Sequence, residues 1–219
     1  MQLNLNNEHI EDLKKSGVQL ETIMNAKIYS IVEKKELEKI LPKVQAQKVN
    51  SLLAFPYPHF KDVTRYKLFP AIKTNNGTKK YHQNVKGVFP YIPSGFNFND
   101  ETIFITEGEK KALRGIQEGL NCMAVGGVWM YSEKDEYDIK HLAETMKVIQ
   151  WSGKKVIIIP DSDFFVNEDI RRATYRLGRF LEKENAKVSI TTFNIKDETE
   201  RIGLDDYLIN HSASSLIGE

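Results

Sequence analysis

The sequence predicts an α/β fold with a mostly parallel sheet flanked by helices, preceded by a small α+β subdomain. From residue 101 onward, apolar runs of strand length alternate with amphipathic segments of helix length, the pattern of a parallel sheet covered by helices. Two of these runs, Thr102–Thr106 and Lys155–Ile159, are mainly apolar, as expected of strands buried on both faces. Before residue 101 the pattern changes, because short helices and a basic hairpin take the place of this alternation.

We therefore predict three parts. Residues 1–50 form a helical N-terminal segment, residues 51–100 a subdomain around a basic β-hairpin, and residues 101–219 the α/β domain. At 219 residues, with 41% hydrophobic content, the chain is large enough to bury a core.

The first part contains three short predicted helices. Asn7 is expected to cap a helix that ends before Gly17, and further helices are predicted over Gln19–Ala26 and Glu33–Leu41. The stretch 52–58 (Leu-Leu-Ala-Phe-Pro-Tyr-Pro) is predicted to be an extended loop, because its prolines fix the backbone.

A basic β-hairpin is predicted next. Thr64–Phe69 alternates like a strand, Asn75-Asn76-Gly77 is typical of a turn, and a partner strand begins at Lys79. Residues 61–95 carry 7 Lys or Arg against 1 Asp or Glu, whereas residues 96–219 carry 16 against 22. A basic strip before an acidic, cation-seeking domain indicates a polyanionic partner. The strip's candidate phosphate contacts are Arg65, Lys67, Lys79 and Lys80, although a solvated hairpin surface would look the same.

The α/β domain is predicted to alternate strands and helices to its end. The predicted strands are Thr102–Thr106, Cys122–Val125, Lys155–Ile159 and Lys187–Phe193, and the predicted helices are Glu109–Glu118, Ile139–Gln150 and Glu168–Glu184.

Several classes of site and location are excluded by composition. The single Cys122 rules out an internal disulfide and a zinc ribbon of paired cysteines. No apolar stretch approaches the roughly 20 residues of a membrane helix, and the N-terminus lacks a signal-peptide pattern. We therefore expect a cytoplasmic protein without a membrane partner.

Acidic side chains follow two of the predicted parallel strands. Glu107 comes directly after one strand, and Asp161 and Asp163 follow another. Because the carboxyl ends of parallel strands share one edge of a sheet, these carboxylates are expected to meet there. Carboxylate oxygens suit Mg²⁺, and Mn²⁺ is an alternative. Asp205 is a further candidate ligand, although it also suits the start of a terminal helix.

Candidate phosphate contacts lie beside these carboxylates. Lys110 and Lys111 begin the helix after Glu107, where backbone amides also favour anions. Gly126 and Gly127 follow the next strand and allow close approach of a ligand to the backbone, although plain turns use such pairs too.

Four motifs together resemble the Toprim domain, the metal-binding module shared by bacterial-type primases, topoisomerases and several small nucleases. They are E-G-E-K-K-A at 107–112, G-G at 126–127, P-D-S-D at 160–163 and G-L-D-D-Y-L at 203–208. The chain is most similar to the Toprim-like domain of unknown function in phage and plasmid replication proteins, where primase-like sequence is often joined to a helicase. The resemblance implies a Rossmann-like Toprim sheet over residues 101–219.

The resemblance also implies roles for individual residues. Glu107 would be the catalytic acid or base, Asp161 and Asp163 the Mg²⁺ ligands, and Asp205 part of a late acidic motif. The implied function is primase-like nucleotidyl transfer, with single-stranded DNA or RNA, nucleotides and a replicative helicase as partners. Two departures stand against independent priming: Phe164-Phe165-Val166 replaces a glycine that often follows D-x-D, and no zinc-binding module precedes the domain.

Three alternative functions remain compatible with the sequence. A nuclease on the same scaffold would differ only in using water as the attacking group. A non-catalytic nucleic-acid-binding or assembly module would retain the fold without the chemistry. A phosphatase of the haloacid dehalogenase type would use Asp161 as its nucleophile, but that family places D-x-D on its first strand.

Overall fold

The computed structural model describes residues 4–75, 77–193 and 201–216. These residues form two compact units: one extends to Gly87, and the other runs from Val88 onward and includes Ser16–Val18. The structure thus differs from the predicted division near residues 50 and 100. The helices of the first 50 residues and the following hairpin belong to one unit, because a short strand among those helices pairs with the sheet.

The first unit is an antiparallel sheet with helices packed on it. Its elements are α1 (Asn7–Lys15), α2 (Leu20–Asn25), β1 (Tyr29–Ile31), α3 (Lys34–Ile40), α4 (Lys43–Ala46), β2 (Ser51–Pro56), β3 (Thr64–Thr74) and β4 (Gly77–Gln83). The sheet order is β1-β2-β3-β4. The predicted hairpin is present as β3 and β4, although Asn76 of its predicted turn lies outside the described residues.

The loop predicted at residues 52–58 is wrong, because most of it lies in the strand β2. Leu52, Leu53, Ala54 and Phe55 are fully buried, with β1 on one side of the strand and β3 on the other. An apolar run gains more from burial in a sheet than from exposure in a loop. Pro56 is tolerated because it stands at the end of the strand.

His9 links α1 to this sheet from a fully buried position. Its Nδ1 lies 2.7 Å from Ser30 Oγ on β1, and its Nε2 lies 2.9 Å from Ser51 Oγ on β2. Burial, reinforced by the charge of Lys67 and opposed by Asp12, lowers the pKa of His9 from 6.5 to about 4. The imidazole is therefore neutral in the folded chain at neutral pH.

This histidine is expected to make stability depend on pH. Below pH 6.5 the unfolded chain takes up a proton at His9, whereas the folded chain does so only near pH 4. The free energy of unfolding should therefore fall by about 2 kcal/mol between pH 7.5 and pH 5 through His9 alone. His9→Gln does not titrate, so it should lose about 2 kcal/mol less over that range. Urea unfolding of both chains at the two pH values measures this, and equal losses would contradict it.

The second unit contains a four-stranded parallel sheet, which confirms the predicted fold class. Its strands lie in the order Lys187–Ile190, Lys155–Ile158, Thr102–Glu107 and Cys122–Val125, and helices flank them. A separate two-stranded hairpin lies outside this sheet. The elements are β5 (Thr102–Glu107), α5 (Glu109–Gln117), β6 (Cys122–Val125), β7 (Ser132–Lys134), β8 (Lys140–Leu142), β9 (Lys155–Ile158), α6 (Glu168–Lys183), β10 (Lys187–Ile190) and α7 (Leu204–Asn210).

Close helix packing brings α5 against the sheet. A side chain at Gly115 would come within 2.7 Å of the Cβ of Cys122 on β6, so the absence of one lets the helix approach. On α6, Ala173, Leu177 and Leu181 are buried. The side chain of Asn167 caps this helix by accepting hydrogen bonds from the backbone amides of Asp169 and Ile170. This cap stabilises the start of the helix that follows the D-x-D motif.

The helix predicted over Ile139–Gln150 is wrong. The chain forms the hairpin β7-β8, followed by a short 3-10 turn over Glu144–Val148. The Asp135 carboxylate accepts hydrogen bonds from the amides of Tyr137 and Ile139, and Asp138 has a φ of 63°, so the backbone turns back at this point. None of the helices in the described parts of the chain has the length and apolar character needed to cross a membrane.

Candidate metal centre

Two of the predicted carboxylates lie at the carboxyl ends of neighbouring strands. Glu107 is the last residue of β5, and Asp161 follows β9 by three residues. The strands stay in register to this edge, where the amide of Ile159 donates to the carbonyl of Ile105 at 2.8 Å. Glu107 and Asp161 line one narrow cleft between the strand ends and α6. The parallel topology therefore brings together side chains that are 54 residues apart in sequence.

A buried serine between the two aspartates brings the third acidic segment to this edge. Ser162 donates its amide hydrogen to the carbonyl of Ile202 at 2.9 Å, and the amide of Ile202 donates to Ser162 Oγ at 2.8 Å. The chain then continues through Gly203 into α7, where Asp205 is only 6% exposed. No sequence pattern predicts this pairing, because Ser162 resembles any spacer within a D-x-D motif.

Lys111 on α5 lies within this acidic cluster. Its Nζ donates to Asp161 Oδ2 at 2.6 Å. Burial opposes the charged form of Lys111, but the charge and hydrogen bond of Asp161, with the charges of Asp205 and Glu107, raise the pKa of its ammonium. We define the acidic cluster as Glu107, Asp161, Asp163 and Asp205, the carboxylates that act on Lys111 or on its partner.

The ammonium does not fully compensate the carboxylate that it contacts. Burial, together with the charges of Asp163 and Asp205, raises the pKa of Asp161 above its usual range, although Lys111 acts in the opposite direction. The pKa of Asp161 is thus raised first by burial and then by its acidic neighbours, whereas the pKa of Lys111 is raised by the carboxylates around it. Negative charge is therefore in excess at this edge of the sheet, which favours a further cation.

Oxygen atoms suitable for a metal ion are buried here without partners. Asp161 Oδ1, Asp163 Oδ1 and Asp205 Oδ1 are each buried and accept no hydrogen bond within the described part of the chain. Such oxygens are costly unless a donor or a cation satisfies them. Hard carboxylate oxygens fit Mg²⁺ and Mn²⁺. Residues 4–75, 77–193 and 201–216 nevertheless contain no three acidic, histidine or cysteine side chains already at metal-ligand spacing.

Of the two glycine-containing loops beside the cluster, the one after β5 has a backbone conformation that favours glycine and the one after β6 does not. Gly108 has a φ of 92°, which permits the sharp turn from β5 into α5, and its amide donates to the carbonyl of Val125 at 2.9 Å. Gly126 and Gly127 follow β6 at the same edge, but neither has a left-handed backbone. Lys110 is partly exposed on the first turn of α5. The phosphate-binding roles of these residues stay predictions.

The basic hairpin of the first unit is largely engaged in internal contacts. Arg65 is buried, with its guanidinium carbon 4.4 Å from the centre of the Tyr81 ring. Lys67 forms an ion pair with Asp12, and Lys79 donates to Gln45 Oε1 at 2.8 Å. Of the four residues predicted to contact phosphates, Lys80 is the exposed one. Two of these side chains, Lys67 and Lys79, are thus held by residues of the N-terminal helices, and Arg65 is held by its own hairpin, so the strip is less exposed than expected. The phosphate contacts of the four residues stay predictions.

Comparisons with known proteins agree with this architecture. Residues 97–215 match the family model described as Domain of unknown function (DUF3854). No curated protein matches the chain.

Solved structures of primases share the fold. The Aquifex aeolicus primase, comprising zinc-binding and RNA polymerase domains, is 14% identical with a TM-score of 0.61, and the match covers 97% of this chain and 55% of that one. The DnaG primase catalytic domain bound to ssDNA is 12% identical with a TM-score of 0.59, covering 98% and 73%. The primase fragment of the bacteriophage T7 primase-helicase protein is 14% identical with a TM-score of 0.53, covering 98% and 78%. The chain thus spans about half the length of the Aquifex structure.

Proposed function

We propose that this chain, which belongs to the DUF3854 family, is a Mg²⁺-dependent Toprim module that carries out primase-like nucleotidyl transfer in a phage or plasmid replication protein. The single observation that carries the proposal is the group of buried carboxylate oxygens without partners on Asp161, Asp163 and Asp205. They lie at the carboxyl edge of a parallel sheet whose fold is that of primase catalytic domains. Ligands bind at this edge in open α/β folds.

In this proposal Asp161, Asp163 and Asp205 hold the cation, and Glu107 either shares it or handles a proton. A bound Mg²⁺ would neutralise phosphate charge and polarise the phosphorus–oxygen bonds. Glu107 lines the same cleft as Asp161, which supports a role in which it accepts the proton of a 3′-hydroxyl that attacks the α-phosphate of a nucleotide, with pyrophosphate as the leaving group. Lys110 and the backbone at Gly126 and Gly127 would contact the phosphates of the incoming nucleotide.

The proposed partners are single-stranded DNA or RNA, nucleotides and a replicative helicase. Support comes from the shared fold with a primase domain whose structure is described as bound to ssDNA and with a primase fragment of a primase-helicase protein. In the first unit, Lys80 is exposed and can contribute to an electrostatic contact with a nucleic-acid backbone.

One observation favours a second candidate, a non-catalytic nucleic-acid-binding or assembly module. Lys111 holds one oxygen of Asp161, and the described residues offer no group of three ligands at metal spacing. In this second candidate, Lys111 is the only cation that the acidic cluster binds. The chain then keeps the fold and binds nucleic acid without a divalent cation.

A titration of Mg²⁺ and of Mn²⁺ with single-stranded DNA and nucleotides tests the proposal on the unaltered chain. Oligonucleotide synthesis, DNA cleavage and DNA binding are scored in the same samples. We expect cation-dependent synthesis without cleavage. Cleavage without synthesis would identify a nuclease on the same scaffold, and binding that ignores the cation would favour the non-catalytic module.

A further inference from the structure

The Lys111 side chain passes close to Gly203, which lies on a different segment of the second unit. A Cβ added to Gly203 would lie 2.3 Å from Lys111 Cε and 3.0 Å from its Nζ. The end of the lysine side chain therefore occupies the space that a side chain at position 203 would take, and from there it reaches Asp161. Ser162 also holds the segment before Gly203 against the D-x-D turn. The lysine side chain and the acidic residues around it therefore lie between segments that are bonded to each other.

The ammonium is therefore part of the site and not a surface charge that happens to lie near it. Its side chain is 18% exposed, and that of Asp161 is 29% exposed. Exposed ion pairs contribute little, but a partly buried pair at 2.6 Å beside further carboxylates interacts more strongly because water screens it less. An unlike charge within about 4 to 6 Å is the usual way in which a protein compensates crowded carboxylates.

We propose, on the basis of the proposed function, that Lys111 is a built-in counter-ion of the acidic cluster and that a divalent cation must displace its ammonium from Asp161 in order to bind. The ammonium holds Asp161 Oδ2, and the cation would bind the same carboxylate through its open Oδ1, so two positive centres on one carboxylate group would repel each other. The unaltered chain consequently holds a divalent cation more weakly than the cluster alone would, and cation binding frees the Lys111 ammonium.

Removing the ammonium should tighten cation binding. Mn²⁺ is titrated into the full chain, and the free ion is followed by electron paramagnetic resonance, with no nucleotide or DNA present. We expect Lys111→Met to lower the Kd for Mn²⁺ by at least about tenfold, equivalent to about 1.4 kcal/mol. Lys111→Arg retains the charge and should stay within about threefold of the unaltered chain. A Lys111→Met chain that binds Mn²⁺ with unchanged or weaker affinity overturns the proposal.

Lys187 provides a matched control for the loss of charge. It is exposed at the start of β10, so it lies at the opposite edge of the same sheet. Lys187→Met removes one positive charge from the chain and should leave the Kd for Mn²⁺ unchanged. A tenfold gain with this variant would show that net charge alone is responsible and would also overturn the proposal.

A second measurement uses the unaltered chain, so it does not depend on the folding of a variant. Lysines are labelled with an amine-reactive acetylating reagent and quantified by mass spectrometry. Labelling of Lys111 relative to Lys187 should rise as Mn²⁺ fills the site, because the ammonium leaves its ion pair. Unchanged relative labelling at saturating Mn²⁺ contradicts displacement.

The two proposals fail in distinguishable ways. If Lys111→Met binds Mn²⁺ more tightly but no chain synthesises or cleaves nucleic acid, the counter-ion inference stands and the proposed enzyme does not. If the unaltered chain synthesises oligonucleotides with an Mn²⁺ affinity that Lys111→Met does not improve, the inference fails alone. If neither chain binds Mn²⁺, both are rejected.

Discussion

The Glu107→Gln chain is expected to lose about 10²- to 10⁴-fold of its Mg²⁺-dependent nucleotide transfer, the usual contribution of a positioned general acid or base. Glutamine matches glutamate in size and can still accept hydrogen bonds, but it cannot take up a proton at neutral pH. Binding of single-stranded DNA should remain, since this substitution removes no positive charge. Primer extension on a single-stranded template, measured beside DNA binding by fluorescence anisotropy, separates the two effects.

Glu101→Gln is the matched control for this substitution. Glu101 is exposed directly before β5, so it lies at the amino end of the strand that Glu107 completes. The control makes the same chemical change on the same strand at the opposite edge, and we expect its rate to equal that of the unaltered chain. If Glu107→Gln keeps full activity, Glu107 is not the proton acceptor. If both variants lose activity equally, the effect does not arise at the proposed site.

Features that depend on local pattern could be predicted from the sequence. The apolar runs that became β5, β6 and β9 are strands in the structure, because strands buried on both faces have few alternatives to a parallel sheet. The positions of Glu107 and Asp161 at one edge follow from that topology, since carboxyl ends of parallel strands coincide. Cys122 lies in β6, as its predicted strand requires, and its thiol is buried there.

Features that depend on contacts between distant segments could not. The spacing of Leu142, Met146 and Ile149 suits one face of a helix, yet the chain buries Leu142 at the end of β8, Met146 in the 3-10 turn and Ile149 directly after that turn. Periodicity reports which residues are buried, and different backbones can bury the same set. In the same way, the sequence does not show that Asp12 and Gln45, which lie on helices before the sheet, are the partners of the hairpin residues Lys67 and Lys79.

The interaction of Lys111 with Asp161 at the site also could not be predicted from the sequence. The sequence indicates a lysine on the first turn after Glu107, which fits a phosphate contact equally well. Its partner Asp161 is 50 residues away, and Gly203, which the end of its side chain approaches, is more remote still. Only the folded chain brings these elements together.

Asp161→Asn is expected to separate function from stability. The substitution should reduce Mg²⁺-dependent nucleotide transfer by at least about 100-fold, since even residues that only support metal ligands cost 10- to 100-fold when replaced. In EDTA, however, its unfolding temperature should be higher than that of the unaltered chain. Asp161 is partly buried beside Asp163 and Asp205, one of its oxygens has no hydrogen-bond partner in the described residues, and a neutral amide relieves both the burial of charge and the repulsion.

Thermal unfolding with and without Mg²⁺ shows whether Asp161→Asn loses activity because it no longer binds the cation or because it destabilises the fold. Mg²⁺ should raise the unfolding temperature of the unaltered chain, because a ligand that binds only the folded state stabilises it, and should raise that of Asp161→Asn much less. Asp206→Asn is the matched control: Asp206 is exposed on the same edge, and its Oδ2 accepts from the Gly203 amide, a bond that an asparagine oxygen can keep. This control should respond to Mg²⁺ as the unaltered chain does. A lower unfolding temperature for Asp161→Asn in EDTA would mean that its ion pair with Lys111 outweighs the crowding, and that the cluster is a structural element and not a cation site.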